Sequence, residues 1–204
     1  RGLPVVATDA AGDAHVAFSS YEGICAAESY YMLVDGTNGA TRIAPTQFSS
    51  DDCYNSVRPS IAVTPDGIVN ILVQDKLAQQ QGGATEIYLH RIDPALDDQD
   101  GSSADPAALL TSAQPVSFNN GAASVQPHLA VSQSLAAVTL YAAYHDAWSG
   151  GGPGNPMLTK LTASGNEALT SLLSTGPSGA TDSWSTPRLA ARYVAIYATW
   201  AAPG

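Results

Sequence analysis

Four proline-led segments limit what this chain can fold into: "PVVATDAAGDAHVAF" from Pro4, "PSIAVTPDGIVNILV" from Pro59, "PHLAVSQSLAAVTLYAAY" from Pro127 and "PRLAARYVAIYATW" from Pro187, spaced 55, 68 and 60 residues apart. Each carries an alanine three residues after its proline, at Ala7, Ala62, Ala130 and Ala190. A small side chain recurring at one position marks a crowded place where successive units converge. In the first two segments Gly12 and Gly67 occupy equivalent turns, where glycine takes a positive φ at little steric cost. A second apolar stretch follows each turn. In the first unit His15, Ala17 and Ser19 alternate with Val16 and Phe18. A period near two, rich in β-branched and aromatic residues, specifies strand and not helix. The corresponding stretch of the third unit is more continuously apolar, as a strand covered on both faces would be.

A third strand recurs as "ESYYMLVDG" from Glu28 and "EIYLHRIDP" from Glu86, which aligns Glu28 with Glu86, Tyr30 with Tyr88 and Asp35 with Asp93; "MLTKLTASG" from Met157 is a weaker copy. A fourth strand is expected in "TRIAPTQF", "AALLTSAQPVSF" and "EALTSLLS". Four short strands per repeat are the blade of a β-propeller, in which four-stranded antiparallel sheets pack face to face around an axis. The expected fold is therefore all-β, a single propeller domain or fragment over residues 1–204. Its blades cover approximately 1–55, 56–123 and 124–183, with a partial blade at 184–204, so that about three and a half are present. A half blade leaves an unpaired strand edge, which is a liability in water. Other protein chains, or the rest of a longer polypeptide, are expected to cover it.

Charge narrows the partners. Eight Lys and Arg against 18 Asp and Glu give a formal charge of −10, a field that repels phosphate backbones and anionic lipid headgroups. Nucleic acid is excluded as a partner class, and no apolar run reaches the 18 residues a membrane-inserted helix needs. The opening "RGLPVV" has neither an initiator Met nor a charged and apolar leader, so any export signal is expected to have been removed or to lie outside this sequence. Few lysines and a pI near 4.4 agree with an extracellular or cell-surface protein. Cys25 and Cys53 would close a 28-residue loop as a disulfide, worth roughly 3.6 kcal/mol in the chain-entropy model. Two unrelated buried thiols are the other reading.

Candidate chemistry is sparse. In "YHDAWSGGGPGNP", His145, Asp146 and Trp148 sit at a strand end beside a glycine-rich loop, and a His, a carboxylate and an aromatic there could bind a sugar or act as acid and base. The plainer account is a strand-end pair with Trp148 covering a blade edge. In "ALDDQDGSSADP", Asp97, Asp98 and Asp100 cluster on one loop, the ligand type that Ca²⁺ requires. Against the twelve-residue calcium loop Asp98 and Asp100 match, but Leu96 and Ala107 stand where the first and last ligands belong, so a solvated acidic loop competes with an irregular Ca²⁺ site. The four histidines occupy different strand positions and form no metal-ligand spacing. Glu28 and Glu86 recur too regularly to be a catalytic pair and read as a structural feature of the repeat. No catalytic residue is assigned.

The proline-led hairpin followed by "EIYLHRID" resembles the repeats of secreted bacterial sialidase-like, or BNR-type, β-propellers. That resemblance implies a surface or binding domain. The Ser-x-Asp-x-Gly-x-Thr-Trp box of those repeats is not matched by "TPDGIVN", and Arg58 and Arg188 are the only arginines flanking the repeat prolines, too few for a sialidase carboxylate clamp. The expected function is an exported, non-enzymatic propeller acting as an extracellular scaffold or binding module, with a glycan among its candidate ligands. The alternative is a carbohydrate-active hydrolase or lyase working on the propeller face.

Overall fold

The computed structural model describes residues 4–21, 26–76, 84–96, 113–117, 121–133, 137–146, 155–162, 167–172, 188–192 and 195–199. Strands β1 (Val5–Thr8), β2 (Ala14–Ser20), β3 (Glu28–Val34) and β4 (Thr41–Gln47) form a first sheet. Strands β5 (Val57–Val63), β6 (Val69–Asp75), β7 (Glu86–Ile92) and β8 (Gln114–Pro115) form a second, and β9 (Ser124–Gln133), β10 (Val138–Asp146), β11 (Asn155–Thr162) and β12 (Glu167–Leu172) a third. A hairpin of β13 (Arg188–Arg192) and β14 (Ala195–Thr199) makes the fourth. Every pairing is antiparallel between consecutive strands. Among the described residues the only helical element is a 3-10 turn at Pro94–Leu96. The chain is thus all-β, built of successive antiparallel sheets that follow the repeat.

The first two sheets share their register residue for residue. Val16 pairs with Met32 as Ile71 pairs with His90, and Phe18 pairs with Tyr30 as Val73 pairs with Tyr88. The turns repeat as well. Gly12 and Gly67 have φ of 88° and 87°, and each donates its N–H to a carbonyl three residues back, Asp9 at 3.2 Å and Thr64 at 2.8 Å.

The sheets stack in series through one apolar cluster per junction. Ala17, Tyr31 and Leu33 of the first sheet meet Ile71, Val73 and Tyr88 of the second. The other face of the second sheet, with Leu72, Ile87 and Leu89, meets Leu129, Leu140 and Tyr144 of the third. Ala130 and Ala143 of the third meet Leu189 of the fourth. Burial on both faces explains why β6 and β7 read as near-continuous apolar runs. The first strands of the four sheets are neighbours in space, and the recurring alanine sits there: Ala62 and Ala130 are buried, Ala7 and Ala190 less so.

One junction device is absent from the sequence reading. Arg58 and Gln126, each preceding a repeat proline, have φ of 56° and 57°. In each case that residue and the proline together oppose a single partner, Val73 or Tyr144, making a β-bulge with a left-handed first residue. The proline has no N–H to offer a ladder, so the bulge falls where pairing is already interrupted. The next residue then reaches the following sheet: Ser60 Oγ accepts the Leu129 N–H at 2.9 Å, and His128 Nδ1 accepts the Leu189 N–H at 3.1 Å. Side chain to backbone bonds therefore tie first strand to first strand at two successive junctions.

Candidate functional site

A polar cleft of about 200 Å³ opens between the first two sheets, lined by Asp9, Asp13, His15, Arg42, Asp66 and Asp93. Turn chemistry places these groups. Asp9 Oδ1 accepts the N–H groups of Ala11 and Asp13, both at 2.9 Å, which closes the turn before β2. Burial alone would raise the Asp9 pKa, but these bonds and His15 outweigh it and hold the carboxylate below its ordinary value. Its Oδ2 lies 3.4 Å from His15 Nε2, while His15 Nδ1 lies 2.8 Å from the Tyr31 hydroxyl. Burial pushes His15 below its ordinary pKa against the pull of Asp9 and Asp13, so the ring is neutral at pH 7. A neutral imidazole has one N–H. The anionic Asp9 takes it at Nε2, and Tyr31 donates to Nδ1. Both ring nitrogens are then hydrogen-bonded, so Asp9, His15 and Tyr31 form a continuous chain across the cleft wall.

The opposite wall is tied through Asp13, whose Oδ1 accepts the Gly36 N–H at 3.0 Å and whose Oδ2 pairs with the Arg42 guanidinium. A Cβ on Gly36 would lie 1.9 Å from the Gly12 carbonyl oxygen, so only glycine lets the two turns approach this closely. The cleft thus presents carboxylate acceptors and one guanidinium, a surface suited to hydroxyl-rich or cationic ligands. Among the described residues no group of three or more His, Cys, Asp or Glu is arranged to hold a metal ion.

At the opposite strand ends a second network repeats between sheets. Ser49 Oγ donates to Glu28 Oε2 at 2.6 Å and accepts the Ser29 N–H at 2.9 Å; Ser117 Oγ donates to Glu86 Oε2 at 2.5 Å and accepts the Ile87 N–H at 2.8 Å. The Ser56 and Ser124 N–H groups donate to the carbonyls just before these glutamates, Ala27 at 2.8 Å and Thr85 at 2.7 Å. Burial raises Glu28, helped by Asp52 and Asp51 and opposed by Ser49. It raises Glu86 likewise, opposed by Ser117 and Ser124 and helped by Asp146. Asp75, facing the first sheet, is pushed from 3.8 up to about 6, chiefly by burial. Each clasp therefore ties one sheet to the next through a serine N–H, Ser56 to Ala27 and Ser124 to Thr85, and brings the repelling charge of an aspartate, Asp75 or Asp146, near the glutamate.

His145 and Asp146, expected to act together, are consecutive residues of β10 and leave it on opposite faces. Asp146 shares the face of Tyr144 toward the second sheet, and His145 the face of Ala143 toward the fourth. Both are buried, and burial pushes His145 down to about 4. The geometry divides them between two junctions, with Asp146 near enough to Glu86 for its charge to raise that pKa. Trp148, the Asp97, Asp98 and Asp100 loop, and Cys25 lie outside the described residues, and with Cys25 the pairing expected for Cys53. The cleft residues and the clasp serines were missed. A signal for the clasps exists: Ser, six residues, Ser, two residues, Pro recurs as Ser49, Ser56, Pro59 and as Ser117, Ser124, Pro127.

No protein-family model matches this chain. No curated protein matches it either. Among solved structures it is similar to a crystal structure of a protein of unknown function from Dyadobacter fermentans DSM 18053, with a TM-score of 0.61 and 15% sequence identity over 98% of this chain and 49% of that one. The chain spans about half the length of the structure it matches, and at this identity the likeness is one of fold.

Proposed function

We propose that this chain is a segment or subunit of an exported β-propeller of the sialidase-like repeat type, acting as an extracellular scaffold and binding module without catalysis of its own. One observation carries the reading: the first strands lie side by side while the sheets stack serially through a separate apolar cluster at each junction. Blades arranged radially about an axis require that combination. A non-enzymatic role is supported by the parting of His145 from Asp146 on opposite faces of β10. The cleft at Asp9, Asp13, Arg42, Asp66 and Asp93 is the ligand site in this reading, and its chemistry suits a glycan. The Cys25 to Cys53 disulfide belongs to the same proposal, supported by the lack of a free cysteine among the described residues. So does irregular Ca²⁺ binding at Asp97, Asp98 and Asp100.

A glycan array and a hydrolase and lyase panel on the purified chain test this. Saturable glycan binding that is lost in Arg42→Ala, with no turnover, is the expected result. Turnover abolished by His145→Ala or Asp9→Asn would overturn the scaffold reading.

A further inference from the structure

The two ends of the stack carry the repeat equivalents of residues that are buried at its internal junctions. In the second sheet the face toward the first is made by Ile71, Val73 and Tyr88, all 2% exposed or less. The shared register maps these onto Val16, Phe18 and Tyr30 of the first sheet, on the face that turns away from the second. There Phe18 and Tyr30 stack with ring centroids 5.6 Å apart, and Val6, paired with Val16 as Ile61 is with Ile71, is 59% exposed. At the far end, Tyr197 pairs with Ala190 as Tyr141 pairs with Ala130. Tyr141 and Ala130 pack onto the fourth sheet, whereas Tyr197 is 62% exposed. The rear of the first sheet thus matches a surface built to be covered, and the front of the fourth a surface built to cover.

We propose that these two faces meet between copies of the chain, so that the fourth sheet of one copy packs head to tail on the first sheet of a second copy. The contact continues the existing series of junctions instead of introducing a new kind of interface. Head-to-tail contacts close when the rotation permits. Two copies also match in length the single chain of the Dyadobacter fermentans structure, of which this fold occupies 49%. Val6, Val16, Phe18, Tyr30 and Tyr197 carry no charge, so the contact is not opposed locally by the net charge of −10.

The inference rests on the serial stacking behind the scaffold reading, but not on that reading's lack of catalysis, so the two fail separately. The test is sedimentation velocity with light scattering on the full chain, in parallel with Val6→Glu and Tyr197→Glu. Both positions are more than half exposed, so each variant should fold, which circular dichroism melting verifies. The expected result is twice 20.9 kDa for the parent chain, with association weakened about tenfold or more in either variant. Slower amide exchange in β1 and β14 at high protein concentration is expected in the parent alone. A monomer at all concentrations, or an oligomer indifferent to both substitutions, would overturn the proposal whether or not the chain binds glycan.

Discussion

Asp75→Asn should stabilise the protein above pH 6 and do little near pH 4. Asp75 is 2% exposed, and burial lifts its pKa from 3.8 to about 6. A carboxyl whose folded pKa is raised binds more protons folded than unfolded between those two values. Its contribution is fully present below pH 3.8 and is lost as the pH rises through about 6. A tenfold change in proton affinity is worth about 1.4 kcal/mol, so keeping this group ionised at pH 8 costs the fold about 3 kcal/mol. Asparagine removes the charge while its carbonyl still accepts the Lys76 N–H, held by Asp75 at 2.6 Å. The background has the opposite sign. His90 and His145 are pushed from 6.5 down to about 4 by burial, so they lose stability as the pH falls from 6.5 toward 4. The parent curve is therefore flattened by opposing contributions. The difference between parent and variant isolates Asp75. Urea unfolding at pH 4, 5, 6, 7 and 8 should give a variant advantage that grows through this range toward about 3 kcal/mol. A difference independent of pH, or a variant less stable at pH 8, would refute the argument from burial.

Three further outcomes follow from specific contacts. Gly36→Ala places a Cβ 1.9 Å from the Gly12 carbonyl oxygen; overpacking of this kind costs about 1–3 kcal/mol, and glycan binding at the cleft should fall with the midpoint of unfolding. Ser60→Ala strips the acceptor from the Leu129 N–H, an orphaned buried donor worth about 1–3 kcal/mol in chemical denaturation, whereas Ser60→Thr should restore most of the loss. If Cys25 and Cys53 are bridged, reduction should lower stability by roughly 3.6 kcal/mol and expose two thiols to alkylation, counted by intact mass; two reactive thiols before reduction would contradict the bridge.

How far the sequence could be read depends on whether a feature announces itself in one residue or in the meeting of two. Strand positions were legible because alternation and proline spacing are local: β2, β3, β6 and β7 lie where the pattern put them, and Gly12 and Gly67 have the left-handed φ their turns required. The bulges at Arg58 and Gln126 were not, since neither residue type signals a positive φ and only the register with β6 and β10 exposes the extra residue. Pairing His145 with Asp146 failed for a related reason. Adjacency in sequence means opposition across a strand, so neighbours in the chain belong to different junctions. The clasp, conversely, brings Glu28 near Asp75 across 47 positions of sequence, and no local pattern can show that they share a space.

The same stacking accounts for a composition that is otherwise puzzling, 13% charged residues in a chain of 204. A sheet covered on both faces offers water only its strand ends and turns, so charge has few places to go. Asp9, Asp35, Asp66 and Asp93 each accept a hydrogen bond within a turn of a few residues, and three of them line the cleft. The acids that do enter the stack sit at strand termini, Glu28 and Glu86 as first residues and Asp75 and Asp146 as last, within reach of a serine or a backbone N–H. Placed one register step deeper, at Val73 or Tyr144, a carboxylate would lie within the apolar junction clusters and would cost several kcal/mol. The architecture therefore divides the polar chemistry between its two ends. One end holds buried carboxyls beside the serine bonds that link each sheet to the next, and the other holds turn carboxylates around an open cleft, where recognition of a ligand should be sought.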